Sequence, residues 1–188
     1  EAMAYTTKMQ ALIVGWRKQF QNDTAPFLFV QLAPYNYGAG KELALPNIWW
    51  AQQDALKFPH TGMAVTNDIG DIKDIHPTQK AEVARRLSLW ALADTYGRKD
   101  LVKSGPLFRD GQTPRLFEVA GKDGVFEAAI AQISADGTTL LLTSEKVVQP
   151  DRARFAWSQV AEPNLMNSAG LPAGAFHTHW PIDPTLAK

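Results

Sequence analysis

Apolar residues recur along the first hundred positions with two different periods. Tyr5, Met9, Leu12, Ile13, Trp16 and Phe20 share helical spacing, with Lys8, Arg17 and Lys18 among the polar positions, and predict a helix over residues 5–20. Pro26 to Ala33 is a nearly continuous apolar run, the pattern of a strand buried on both faces. Residues 34–46 contain Pro34, Gly38, Gly40 and Pro46 and read as a loop. Residues 47–57, with Trp49, Trp50 and Leu56, suit a short helix, and residues 62–66 a second buried strand after the Pro59-His60 turn. Residues 77–96 place Val83, Leu87, Trp90 and Ala91 on one stripe and predict an amphipathic helix with Pro77 at its first position. An α-β-α-β-α order implies parallel strands joined by right-handed crossovers.

The pattern changes near Ser104-Gly105-Pro106, after which no helical stripe is found. Val125–Ile133 reads as a strand, Ala135-Asp136-Gly137 as a turn and Thr138–Thr143 as its partner, because an Asp-Gly step between two such runs signals a hairpin. Arg152–Trp157 is a third strand, and the tail is rich in turn residues. The chain therefore divides into an α/β part, residues 1–103, and a small antiparallel β module, residues 104–188. The junction is too short for a flexible linker and the module too small for an adequate core of its own, so it is expected to pack on the α/β part and depend on it. No internal repeat or low-complexity tract interrupts either part.

Composition narrows the function without choosing it. The 45% hydrophobic and 20% charged content is that of an ordinary globular protein. The 19 basic and 19 acidic side chains cancel, with no basic block, so there is no electrostatic footprint for nucleic acid. The longest apolar runs fall far short of a membrane span. The absence of cysteine excludes disulfides and thiol catalysis. Glu1-Ala2-Met3 leads straight into a helix, and the chain is expected to be the C-terminal part of something longer.

The candidate chemistry lies in Asp68-Ile69-Gly70-Asp71-Ile72-Lys73-Asp74-Ile75-His76-Pro77. His76 falls beyond the carboxyl end of the second strand, where ligands and catalytic groups of open α/β sheets collect. Imidazole can accept a proton from a hydroxyl and return it to a leaving group. An upstream carboxylate can hold the ring in the right tautomer. Asp74 is the first choice for that role by proximity, with Asp71 or a backbone carbonyl as alternatives. A lone histidine before a helix also reads as a cap or satisfied loop residue, and Asp68 and Asp71 as turn-shaping side chains.

Several segments, read in order, carry a resemblance. They are Trp16-Arg17, Phe29-Val30-Gln31-Leu32-Ala33-Pro34-Tyr35, Ala51-Gln52, Thr61-Gly62-Met63-Ala64-Val65, Asp68-Ile69-Gly70-Asp71, Asp74-Ile75-His76-Pro77 with Lys80, and Ser104-Gly105-Pro106. Phe155-Ala156-Trp157, Asn164-Leu165-Met166-Asn167 and Gly170-Leu171-Pro172-Ala173 complete the series. This ordered set resembles the sialate O-acetylesterases of the SGNH hydrolase superfamily. The resemblance implies a flavodoxin-like three-layer α/β/α domain, of which residues 1–103 form the C-terminal half. It implies a carbohydrate O-acetylesterase working by acyl transfer, with no metal or cofactor, acting on an acetylated sugar in the periplasm or outside the cell. It implies neither nucleic acid nor membrane as partner.

The match is incomplete. The family's nucleophile lies in a Gly-x-Ser block near the start of its catalytic domain, and a further block carries an oxyanion residue; neither is present. Ser88, Ser104, Ser134, Ser144, Ser158 and Ser168 do not sit on a strand-to-helix elbow. The chain is thus expected to supply the general base, with the nucleophilic serine on the N-terminal part of the same enzyme. Members of the superfamily often place an aspartate three residues before the histidine, where this chain has Lys73. The alternatives are a non-catalytic carbohydrate-binding or accessory module, and an acetylesterase for plant polysaccharide (xylan or xyloglucan) rather than sialic acid. A flavodoxin-like binding domain has no Gly-rich phosphate loop to support it.

Gln31 and Trp50 are the substrate-binding candidates. Gln31 lies late in its strand, and its default reading is a satisfied strand-end amide. Trp49 or Trp50 can stack on a sugar ring, although at least one should pack in the core, because consecutive helix residues point about 100° apart. His177 and His179 can share a strand face, but a metal site needs a third ligand and none is near in sequence, so they read as structural or exposed. His60, Asn164 and Asn167 read as turn residues.

Overall fold

A computed structural model describes residues 2–103, 113–135 and 139–178. Helix α1 (Ala2–Gln19) precedes strand β1 (Phe27–Val30), helix α2 (Ala44–Asp54) with a 3-10 turn (Ala55–Lys57), strand β2 (Thr61–Ala64) and helix α3 (Lys80–Trp90). β1 and β2 run parallel, in register from Phe27 against Thr61 to Val30 against Ala64. β2 is buried at all four positions. β1 is only half-buried and ends on an exposed Val30, so the strand covered on both faces is β2 alone. β1 pairs with one strand among the described residues. Part of its other edge is sealed by a side chain: Gln52 accepts from the Leu32 N–H at 3.0 Å and donates to the Val30 carbonyl at 3.3 Å, as a neighbouring peptide would. The Trp49 indole N–H adds a 2.7 Å bond to the Leu32 carbonyl.

α1 is where its stripe predicts, but most of that stripe is not covered. Ile13 is buried, whereas Leu12, Trp16 and Phe20 are exposed, with Trp16 stacked on Phe20. The helix meets α2 along a narrow line, with the buried Thr6 hydroxyl donating to the Ala51 carbonyl. Arg17 ties its end to the loops flanking the sheet, through the carbonyls of Ala25 and Pro59. α2 starts earlier than the expected residue 47, with Pro46 inside its first turn, where a missing N–H costs no intrahelical bond.

α3 starts later than expected, and Pro77 is not its first residue. The Lys80 N–H turns back to the Thr78 carbonyl, and the first carbonyl to accept helical bonds is that of Gln79, from Glu82 and Val83. The helix buries Arg86 and Trp90, and it widens into a π turn (Ala91–Thr95) that ends on the Tyr96 N–H bond to Ala91.

A five-stranded antiparallel sheet follows, made of β3 (Phe117–Ala120), β4 (Phe126–Ile133), β5 (Leu140–Thr143), β6 (Arg152–Phe155) and β7 (Phe176–His177), in the order β5-β4-β3-β6-β7. The β4–β5 pairing is the expected hairpin; its Asp136-Gly137 turn and the Ser104-Gly105-Pro106 junction lie outside the described residues. β3 and β7 were not anticipated. The sheet and α2 share one core, in which Leu45 and Trp49 meet Phe117, Phe155, Trp157 and Leu165.

Gly62 shows how closely α3 lies on the sheet. A Cβ there would stand 2.5–2.8 Å from the Trp90 ring, whose indole N–H is held by the Met63 carbonyl. Gly62→Ala should therefore destabilise the chain by about 1–3 kcal/mol, the usual cost of overpacking. Urea unfolding checks this, and a midpoint equal to wild type would refute the close approach.

Candidate active site

The residues between β2 and α3 are tied down before they reach His76. Arg86, at the centre of α3, donates to both Asp68 carboxylate oxygens at 2.6 and 2.7 Å, to the Val65 carbonyl at 2.7 Å and to Glu82 at 2.8 Å. Its side chain is 5% exposed and that of Asp68 is 9%. Burial disfavours the Arg86 charge, but the hydrogen bonds and charges of Asp68 and Glu82 outweigh it and raise the pKa. Glu82 also carries Arg85, whose hydrogen bond is the largest influence holding its carboxyl down to about 2, with Arg86 helping against desolvation.

Beyond Asp68 the chain passes against the preceding loop. Gly70 lies so close to Pro34 that a Cβ would sit 2.4 Å from its ring. The Asn36 N–H donates to the Ile72 carbonyl at 2.9 Å. Asp71 then shapes a tight turn, accepting the Lys73 N–H at 2.8 Å through its side chain and the Asp74 N–H at 3.1 Å through its carbonyl. This is the turn-shaping role read for Asp71, and Asp68 has the structural role of anchoring the loop.

Asp74 and His76 come together as the sequence suggests. One Asp74 oxygen accepts the His76 backbone N–H at 2.9 Å and lies 3.2 Å from Nδ1 of the ring. The backbone N–H is the largest influence lowering the Asp74 pKa; the His76 ring and the charges of His76 and Lys80 act the same way against desolvation. The contact is therefore fully formed above the ordinary value of 3.8 and is lost as pH falls through the lowered one. With Nδ1–H directed at the carboxylate, Nε2 carries the lone pair. The His76 side chain is 82% exposed, so that nitrogen stands in the open. No described serine hydroxyl bonds to it; Ser88 and Ser144, for example, donate to the carbonyls of Arg85 and Ala128.

Of the two substrate-binding candidates Gln31 is buried and Trp50 half-buried, whereas the His76 ring is exposed. Gln31 is 1% exposed, and its Oε1 and backbone carbonyl accept from the Thr66 N–H and hydroxyl. It is a strand-end amide turned inward rather than a rim group, although its Nε2 has no partner among the described residues. Trp50 is half-buried against the shared core, its ring 6.5 Å from that of Trp157, while Trp49 is fully buried. His177 packs edge-on against Phe126 and Trp157, and His179 lies outside the described residues. Among the described residues no group of three His, Asp or Glu is placed to hold a metal, and no helix is long and apolar enough to cross a membrane. His60 holds a turn at positive φ and Asn167 closes a turn through the N–H groups of Ala169 and Leu171, whereas Asn164, expected to fix a turn, ties its segment to the distant backbone of Thr113 and Arg115. Sequence reasoning missed Arg86 and Gln159, whose partners are distant along the chain.

No family model matches the chain. It is 39% identical over 120 residues to the sialate O-acetylesterase of Rattus norvegicus and 34% identical over 145 residues to that of Mus musculus, covering 55% and 68% of this chain. The aligned part spans only 22% and 26% of those proteins, about a quarter of their length. A crystal structure of a carbohydrate acetylesterase from Xanthomonas citri superposes on 95% of the chain and 46% of its own, with a TM-score of 0.87 and 33% identity. The chain is thus homologous to sialate O-acetylesterases over part of its length. It has the α/β fold of a carbohydrate acetylesterase, with the antiparallel sheet included.

Proposed function

We propose that this chain is the base-bearing part of a carbohydrate O-acetylesterase. His76 acts as general base and then general acid, and the nucleophilic serine is supplied from outside residues 1–188, by the N-terminal part of the same enzyme. One observation carries the reading: a single Asp74 oxygen engages both the backbone N–H and Nδ1 of His76, leaving Nε2 exposed and without a hydroxyl partner among the described residues. A ring oriented in this way can take the proton of an attacking serine, and the imidazolium that forms is stabilised by the carboxylate beside it. In the next step it returns the proton to the departing sugar oxygen. Water then repeats the cycle on the acyl-enzyme. The names of the homologues support an acetylated sugar as substrate. Acetylated sialic acid is our first reading and plant polysaccharide the second, in a periplasmic or extracellular setting. We keep residues 1–103 as the catalytic half and residues 104–188 as the module packed on it.

A fluorophosphonate ester, which labels activated serines, tests the division of labour. The assembled enzyme should be labelled and inactivated. Residues 1–188 alone should take no label and should not hydrolyse p-nitrophenyl acetate. Hydrolysis of that ester by residues 1–188 alone, lost on His76→Ala, would refute an external nucleophile.

A further inference from the structure

Gln159 belongs to the segment that follows β6 and is 3% exposed, and none of its hydrogen bonds is to His76. All its hydrogen bonds go to the loop between β1 and α2. Its Oε1 accepts the Tyr37 N–H at 3.0 Å. Its Nε2 donates to the Asn36 side-chain oxygen at 3.3 Å and to the Gly38 carbonyl at 3.2 Å. Its backbone N–H donates to the Glu42 carbonyl at 3.1 Å. The same Asn36 oxygen accepts the Gly38 N–H at 3.0 Å, which closes a tight turn around the Gln159 amide.

That turn touches the histidine loop. Asn36 donates its backbone N–H to Ile72, and Pro34 lies under Gly70. Ile72 falls inside the turn closed by Asp71 and Asp74, whose side chain holds His76. A continuous hydrogen-bonded path therefore runs from the β module to the Asp74–His76 pair. The opposite end of the loop is held separately by Arg86 on α3.

We propose that Gln159 is a positioning residue: through the Asn36–Gly38 turn, the β module sets where the Asp71–His76 loop stands, and so aims His76 at its serine. The inference rests on His76 being the base. It gives the β module a role in the reaction beyond completing the core. Gln159 is suited to this because one planar amide supplies an acceptor and a donor in fixed relation, and both are saturated by the loop.

Gln159→Leu keeps the volume and removes the amide. In residues 1–188, amide exchange at Asn36 and Tyr37 should accelerate at least tenfold, and the resonances of Ile72, Asp74 and the His76 ring should shift. Strands β3 and β4 should keep their protection. In the assembled enzyme kcat should fall about tenfold with KM within twofold. Gln159→Glu keeps the acceptor for Tyr37 but sets a carboxylate oxygen against the Asn36 oxygen and the Gly38 carbonyl in place of the donor, and it should not recover that loss. Asn36→Ala keeps Gln159 and the Asn36 backbone bond to Ile72 but removes the side-chain oxygen that joins them, and it should shift the same resonances if Gln159→Leu fails to fold. Unchanged Ile72, Asp74 and His76 resonances in a folded Gln159→Leu or Asn36→Ala protein would overturn the proposal. The resonance test is independent of the base assignment, which falls only if His76→Ala stays active.

Discussion

Replacing His76 with alanine in the assembled enzyme lowers deacetylation about 10³-fold or more, the range seen when a triad member is removed. The fold survives, because the ring is 82% exposed and its polar contacts are with Asp74 alone among the described residues. Asp74→Asn should lose less than His76→Ala. An asparagine oxygen can still accept the His76 N–H and face Nδ1, and what disappears is the charge that favours the imidazolium. Asp71→Asn should lose less still, since Asp71 acts on the turn through its Lys73 contact and its backbone carbonyl. Initial rates on an O-acetylated sugar, with circular dichroism to confirm folding, decide the order. Activity of His76→Ala within tenfold of wild type removes His76 from the mechanism. A complete loss at Asp71→Asn with none at Asp74→Asn transfers the orienting role to Asp71.

The geometry of the candidate site was legible because its contacts are local. Asp74 and His76 are two residues apart, and a proline that restricts His76 to extended backbone lets the carboxylate bend back onto both the N–H and the ring. The strand that delivers them, β2, announces itself by four consecutive buried positions. Elements decided by distant partners were harder to read. The stripe on α1 promised a covered face, yet Leu12, Trp16 and Phe20 are exposed, since apolar spacing reports a preference for burial and not the presence of a covering element. β3 has a short in-out pattern, Phe117 and Val119 inward against Glu118, which four residues cannot distinguish from a loop without its partners β4 and β6. Gln31 and Gln52 look alike in sequence. One turns inward to Thr66 and the other completes a strand edge, a difference set by the packing of α2. Gln159 reaches back 121 positions to Gly38, and no spacing rule points to it.

Arg86 produces the largest expected loss of stability. Arg86→Met keeps the length of the side chain but leaves the Asp68 carboxylate and the Val65 carbonyl without their donor at a site where the Asp68 side chain is 9% exposed. Breaking a buried pair by removing one partner costs about 3–5 kcal/mol, mostly the penalty of stranding the other charge. Urea unfolding of residues 1–188 should show a loss of that size. Arg86→Met combined with Asp68→Leu should recover much of it, because an apolar pair strands no charge. The pH profile separates the same network from the rest of the fold. The carboxyl of Glu82 is held at about 2 against an ordinary value of 4.5, so its contribution is complete above pH 4.5 and declines as pH falls toward 2. In Arg86→Met one of the two arginines on that carboxylate is gone, and the acid-side decline should flatten while Arg85 maintains part of it. A single variant that loses less than about 1 kcal/mol would mean that the loop is held from the Pro34–Gly70 side alone, and that Asp68 finds water when its guanidinium is removed.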